Sequence, residues 1–265
     1  MIKLIDKFLD SLKRKFILEL KEAVLIADGV YDFLFSARGG SACLPVFSGG
    51  GKHKLKFKPG QYLGLILNGD QDEKDAIRYF SIASSPAEEY IRMGVKFYPQ
   101  ASSFKQSMLN LKPGDKIAVS RLAGNFVLPK NKDRKLVFIA GGIGITPFRS
   151  MIKHLLDTKE KRDIILFDSN FTPADIIYKD VFDEGETRLG IKTIYTVTNT
   201  PYPNDWRGER GFIDEQMIKR TVPDYKERTF YLSGSHNMAV AFDGILRKMG
   251  IPKKQIIKDF FPGLV

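Results

Sequence analysis

Near residue 130 the hydropathy pattern of the chain changes period, and the two sides of that change cannot build the same architecture. Before it lie short segments rich in β-branched and aromatic residues: Leu18–Ile26, Tyr31–Ser36, Tyr62–Leu67, Arg78–Ala83, Ile91–Tyr98 and Lys116–Ser120. They are cut apart by Gly39-Gly40, Gly49-Gly50-Gly51, Lys58-Pro59-Gly60 and Lys112-Pro113-Gly114-Asp115. Short strands at such spacing predict a small antiparallel β-barrel, with residues 39–51 as a loop insertion. After Pro129, apolar strands (Lys135–Ala140, Asp163–Asp168, Ile191–Thr196, Thr229–Leu232) alternate with helix-period segments (Pro147–Leu156, Pro173–Phe182, Asp214–Thr221, Met238–Met249). Alternation of that kind predicts a parallel sheet covered by helices on both faces. The hydrophilic stretch Lys130–Arg134 marks the boundary, so the expected domains are 18–130 and 131–265.

Ahead of both, Met1, Ile5, Phe8, Leu12 and Phe16 recur at helical spacing with Lys3, Lys7, Lys13 and Lys15 between them. An amphipathic helix over residues 1–17 is expected, with two roles open: packing on its own protein, or resting as a basic helix on a membrane or a partner. A chain of 265 residues, 43% hydrophobic and 28% charged, has material for two cores and is not a disordered polymer. No run of about 18 apolar residues occurs, and the opening segment, with Asp6, Asp10, Lys13 and Arg14, lacks a small-residue cleavage pattern. The expected setting is therefore cytoplasmic, with membrane association through the first helix left open.

Cys43 stands alone, so neither a disulfide framework nor a four-thiolate cluster can be built from this sequence. His53, His154 and His236 lie far apart, and no metal site is expected. The 42 Lys and Arg against 31 Asp and Glu give a formal charge of +11, which suits anionic partners of several kinds. The basic residues are dispersed apart from Lys3 to Lys15 and Lys52 to Lys58, and no nucleic-acid module accompanies them, so nucleic acid is not expected.

Two local signals point to dinucleotides. Leu136-Val137-Phe138-Ile139-Ala140 is an apolar strand followed at once by Gly141-Gly142-Ile143-Gly144-Ile145-Thr146-Pro147 and a helical pattern. Glycines permit a tight turn and close backbone approach to a pyrophosphate, Thr146 is suited to cap the helix, and Pro147 fits its first turn. Amides exposed at such a helix start face a phosphate. Upstream, Arg78-Tyr79-Phe80-Ser81 places a guanidinium, aromatics and a hydroxyl on one strand, a set that fits the phosphate and flat ring of a flavin dinucleotide.

The order Phe57-Lys58-Pro59-Gly60-Gln61-Tyr62, Arg78 to Pro86, Gly124-Asn125-Phe126, Gly141 to Pro147, Ser233-Gly234-Ser235 and Asp259-Phe260-Phe261-Pro262-Gly263 resembles the ferredoxin–NADP reductase superfamily, from about Leu18 to the C-terminus. The resemblance implies an antiparallel FAD-binding β-barrel followed by a parallel-sheet nicotinamide-nucleotide domain. It implies that Arg78 holds the FAD pyrophosphate and that Ser81 approaches the flavin N5. Phe80 stands where relatives usually carry Tyr, which keeps stacking and removes a hydroxyl. Ala101-Ser102-Ser103-Phe104-Lys105 is a looser match to the second pyrophosphate motif, with the choice between Ser102 and Ser103 open. Val95-Lys96-Phe97 resembles the strand that carries the rest of FAD, with Lys96 also readable as a solvated surface residue.

Ser233, followed by Gly234, occupies the place of a Cys that many relatives set beside the nicotinamide. Phe261 is the first choice, and Phe260 the second, for an aromatic over the flavin, the alternative being that both plug a core. Candidate catalytic residues are then Ser81, Ser233 and Phe261; Gly141, Gly142, Gly144 and Thr146 are the candidate nucleotide loop. The function implied is flavin-dependent transfer of electrons from NADH or NADPH through FAD to a separate acceptor, a protein carrier or a small molecule. The charge suggests an acidic ferredoxin or flavodoxin. The alternatives are an electron-transfer subunit or detached reductase module of a membrane redox complex, and a binding module without turnover. Asp168, at the end of the second parallel strand, is expected to accept ribose hydroxyls and repel a 2′-phosphate, which favours NADH, or else to cap the Thr172-Pro173 turn.

Overall fold

The computed structural model describes residues 16–38, 55–67, 77–100 and 102–259, and the chain divides into two compact units, Met1–Asn125 and Phe126–Val265. The expected N-terminal helix lies outside the described residues except for its last two positions. Those two are strand, because Phe16 is buried in the sheet core and Ile17 pairs across to Arg38.

Among the described residues of the first unit the strands are β1 (Phe16–Ala27), β2 (Val30–Arg38), β3 (Tyr62–Ile66), β4 (Ile77–Ser81), β5 (Ile91–Lys96) and β6 (Lys116–Ala123), with one helix, α1 (Ser103–Leu109). All pair antiparallel in the order β4-β3-β6-β1-β2-β5. The sheet curls until its ends meet: just past β4, Ala83 N donates to Arg92 O of β5 at 2.8 Å. Period-two alternation drives the curl, since Phe16, Leu18 and Leu20 of β1 and Phe33 and Phe35 of β2 all point to the enclosed side. Gly29 sits at the β1–β2 turn with φ +62°, and a Cβ there would lie 2.8 Å from Phe97 O. Only glycine allows that turn to accept the Phe97 amide at 2.7 Å and fix the hairpin to β5.

The second unit holds β7 (Leu136–Gly141), α2 (Thr146–Thr158), β8 (Ile164–Asn170), α3 (Lys179–Leu189), β9 (Lys192–Val197), β10 (Glu209–Arg210), α4 (Glu215–Thr221), β11 (Thr229–Ser233), α5 (His236–Lys248) and β12 (Ile256–Lys258). The strands are parallel in the order β10-β9-β8-β7-β11-β12. The order reverses between β7 and β11, so the carboxyl ends of those two strands flank the switch point where such sheets open a crevice. One face buries Val137, Ile139 and Phe167 against Met217 and Ile218 of α4 and Phe242 and Leu246 of α5. On the other, Phe138 stacks on Phe148 of α2, with centroids 4.5 Å apart.

The helix expected over Pro173–Phe182 forms differently. Pro173–Asp175 is a single 3₁₀ turn, closed by the Thr172 and Asp175 side chains, and α3 begins only at Lys179 after Tyr178 with φ +57°. A proline at the first position suits one turn as well as a long helix, and the capping pair ends its reach there.

Candidate functional site

Along β4 the side chains alternate, so Arg78 and Phe80 share one face and Tyr79 and Ser81 the other. The Phe80 ring stacks on Phe104 of α1 with centroids 6.1 Å apart, and the Arg78 guanidinium lies 5.9 Å from the same Phe104 ring. Arg78 and Phe80 of one expected flavin motif and Phe104 of another thus meet in one place. Tyr79 packs edge-on against Tyr62 at 5.4 Å, and Ser81 is buried at the strand end.

Ser102 caps α1, its hydroxyl accepting from Lys105 N at 3.4 Å, which leaves Ser103 as the first helical residue. Lys105 Nζ donates to Lys96 O at 2.7 Å beside the Phe97 and Tyr98 rings, and burial pulls its pKa below the ordinary lysine value. Val95 and Phe97 point into the core, while Lys96 Nζ donates to Asp28 O at 3.0 Å. Two cations and serine hydroxyls form a donor set that fits a diphosphate, beside the half-buried Phe80 ring, while Phe104 is buried in the core beneath it.

On the expectation that Arg78 holds the FAD pyrophosphate, replacing it with Ala removes a charge-assisted contact of about 1.5–3 kcal/mol, a loss of roughly ten- to hundredfold in flavin affinity. The variant is expected to shed FAD on dilution and gel filtration; full occupancy would contradict the assignment.

In the second unit the glycines after β7 separate into distinct tasks. Gly142 has φ +50° and open space on its Cβ side, as a backbone that must receive a ligand requires. Gly144 is different: a Cβ there would lie 2.4 Å from Ser233 O and 2.7 Å from Gly234 Cα, so it lets the loop lie directly on the end of β11. A Cβ on Gly141 would meet Met238 Sδ at 2.2 Å.

Thr146 does not cap the helix as expected. A 3₁₀ turn, Gly142–Ile145, is inserted before α2, and the buried Thr146 hydroxyl donates back to Ile143 O at 3.0 Å. Pro147 does occupy the first turn. The open glycine and the amides of that turn form a cradle that fits a pyrophosphate.

Asp168 departs further from expectation. It lies inside β8 with 1% exposure, and neither carboxyl oxygen has a hydrogen-bond partner. Burial pushes its pKa from 3.8 up to about 7, opposed in part by the Asn170 amide on the same face of the strand. An enclosed carboxyl of this kind is out of reach of ribose hydroxyls. It does not cap the Thr172-Pro173 turn either, since Asp175 Oδ2 accepts from Thr172 N and Oγ1 there.

Ser233 ends β11 and is buried, its hydroxyl 3.3 Å from Asp259 Oδ2. Asp259 was legible only as part of a motif; the pairing of two chain segments 26 residues apart assigns it a task. Phe260 and Phe261 lie outside the described residues. Phe171 and Phe212, at 63% and 81% exposure, stand just past the ends of β8 and β10. Phe212 carried no sequence signal beyond an aromatic following Gly211.

Residues 46–127 match the oxidoreductase FAD-binding domain family and residues 138–243 the oxidoreductase NAD-binding domain family, one in each unit. The chain thus carries an FAD-binding and an NAD-binding domain of oxidoreductase type, and it is similar in fold to known flavin reductases. The flavohemoprotein of Bacillus subtilis is 27% identical over 78% of this chain and 52% of its own length. The glycine betaine monooxygenase reductase subunit of Pseudomonas aeruginosa is 28% identical over 77% of this chain and 56% of its own. The chain therefore spans about half the length of these curated relatives.

Among solved structures, the cytochrome b5 reductase domain of Ulva prolifera nitrate reductase shares the fold with a TM-score of 0.75 at 23% identity, covering 93% of this chain and 97% of that chain. The FAD/NAD-binding domain of Vibrio cholerae nitric oxide dioxygenase does so at 0.76 and 18%, covering 93% and 98%. Among the described residues, no group of His, Cys, Asp or Glu is placed to hold a metal ion, and no helix is long and apolar enough to cross a membrane.

Proposed function

We propose that this reductase takes electrons from NADH and passes them through FAD to an acidic protein acceptor such as a ferredoxin or flavodoxin. The observation that carries the reading is the pair of cradles, one in each unit: the Arg78–Phe80–Phe104 cluster and the open loop at Gly142. When bound, FAD supplies the conversion of a two-electron donor into transfers an acceptor can take singly or in pairs. The protein's part is to bind and orient. Arg78 and the amides at the start of α1 neutralise one diphosphate, and the 3₁₀ turn before α2 neutralises the other. Asp259 Oδ2 accepts a hydrogen bond from Ser233 Oγ and fixes the direction of that hydroxyl without becoming a general base.

NADH is favoured because the strand end offers Phe171 where a 2′-phosphate needs a cation, and because Arg210 is turned onto the Tyr202 ring at 5.2 Å. The net charge of +11 supports an acidic acceptor. Anaerobic reduction followed by stopped flow is expected to give a larger kcat/KM for NADH than for NADPH. Turnover with a ferredoxin or flavodoxin is expected to fall as salt rises, while reduction by nucleotide does not. A preference for NADPH, or acceptor turnover indifferent to salt, would remove the corresponding half of the proposal.

A further inference from the structure

Met238 lies in the first turn of α5, its amide held by the Ser235 hydroxyl at 3.3 Å. Helical side chains lean back toward the N-terminus, and here that direction brings the thioether down over the carboxyl ends of two neighbouring strands. A Cβ on Gly141 would sit 2.2 Å from Met238 Sδ, and one on Gly234 would sit 2.6 Å from the same sulfur. Gly141 ends β7 and Gly234 follows β11, with Ala140 and Ser233 paired between them. The sulfur therefore lies across the crevice at the switch point of the sheet, against the backbones a dinucleotide there would follow. These two glycines make room for Met238, whereas Gly142 makes room for the ligand. The side chain is half-buried, unbranched and able to change rotamer with little strain.

We propose that Met238 is a positioning residue for the nicotinamide nucleotide: its thioether fills the crevice between Gly141 and Gly234, is displaced when the nucleotide binds, and then packs against it. This rests on the reading of the second unit as the nicotinamide site. Displacement opposes binding, and the displaced side chain restrains the bound nucleotide. Truncation therefore separates the two effects in a way that loss of structural support would not.

The test uses the full chain with methyl-13C methionine, its seven methionines resolved by NMR and Met238 assigned from the spectrum of Met238→Leu. On titration with NAD+, the Met238 methyl is expected to shift more than those of the core methionines Met151 and Met217. By calorimetry, Met238→Ala is expected to bind NAD+ about fivefold more tightly than wild type. In anaerobic flavin reduction its KM for NADH falls and its kcat falls too, and Met238→Leu restores both toward wild type. A Met238 methyl that stays still while NAD+ binds, or NAD+ affinity unchanged in Met238→Ala, overturns the positioning role and leaves the nucleotide site standing. Wild type that binds neither NAD+ nor NADH overturns the reading of the second unit and this proposal with it.

Discussion

Asp168→Asn is expected to raise the stability of the second unit above pH 7 and to leave it nearly unchanged near pH 4. The carboxyl is fully enclosed, and burial lifts its pKa from 3.8 to about 7 in the folded chain. Between those values the folded state keeps a proton that the unfolded chain releases, so wild-type stability falls as pH rises through that window. At 1.36 kcal/mol per unit the loss approaches about 4 kcal/mol, complete above pH 7. Asparagine has nearly the same shape and no charge to desolvate. Urea unfolding of the two proteins at pH 4, 6 and 8 measures the difference directly. A difference that does not grow with pH would mean the carboxylate finds a partner in solution. Tyr195, opposite Asp168 on β9, supplies a second readout, since burial first and then Asp183 and Asp168 push its pKa upward. Removing the Asp168 charge relieves part of that.

Gly144→Ala carries the other large effect. The added Cβ meets backbone atoms of Ser233 and Gly234 at 2.4–2.7 Å, and backbone cannot swing aside as a side chain can. Either the loop after β7 or the end of β11 must move, with a penalty of about 1–3 kcal/mol in stability. Displacing the two edges of the crevice together is expected to weaken nicotinamide nucleotide binding and, by misplacing the nucleotide, to slow flavin reduction by roughly a hundredfold. Gly142→Ala is the comparison. Its Cβ meets nothing within 4 Å, so only the left-handed backbone conformation, about 1–2 kcal/mol, stands against it. Equal nucleotide affinities for Gly144→Ala and wild type, measured by equilibrium dialysis with NAD+, would show that the crevice tolerates the shift.

The strands and most helices were legible because their signals are local: period two in β1 and β2, the strand–glycine–helix order at β7, and the helical period of Asp214–Thr221 and Met238–Met249 in α4 and α5. Errors arose where two local readings compete. Thr146 before Pro147 reads equally as a cap or as the last step of a 3₁₀ turn, and Pro173 as the start of a helix or of a single turn. Asp168 was misjudged for a different reason, because enclosure of a strand-end carboxyl depends on helices packed from elsewhere in the sequence. The same holds for the Phe80–Phe104 stack, the Ser233–Asp259 bond and the Met238 contacts. Each joins segments separated by loops whose course the local pattern does not encode.

Purified as the full chain and reconstituted with FAD under anaerobic conditions, the protein is expected to show the visible flavin spectrum and to lose it on addition of NADH. One stopped-flow trace of that bleaching tests both cradles together. A protein that takes up no FAD, or whose bound flavin keeps its oxidised spectrum with either NADH or NADPH, would contradict the account.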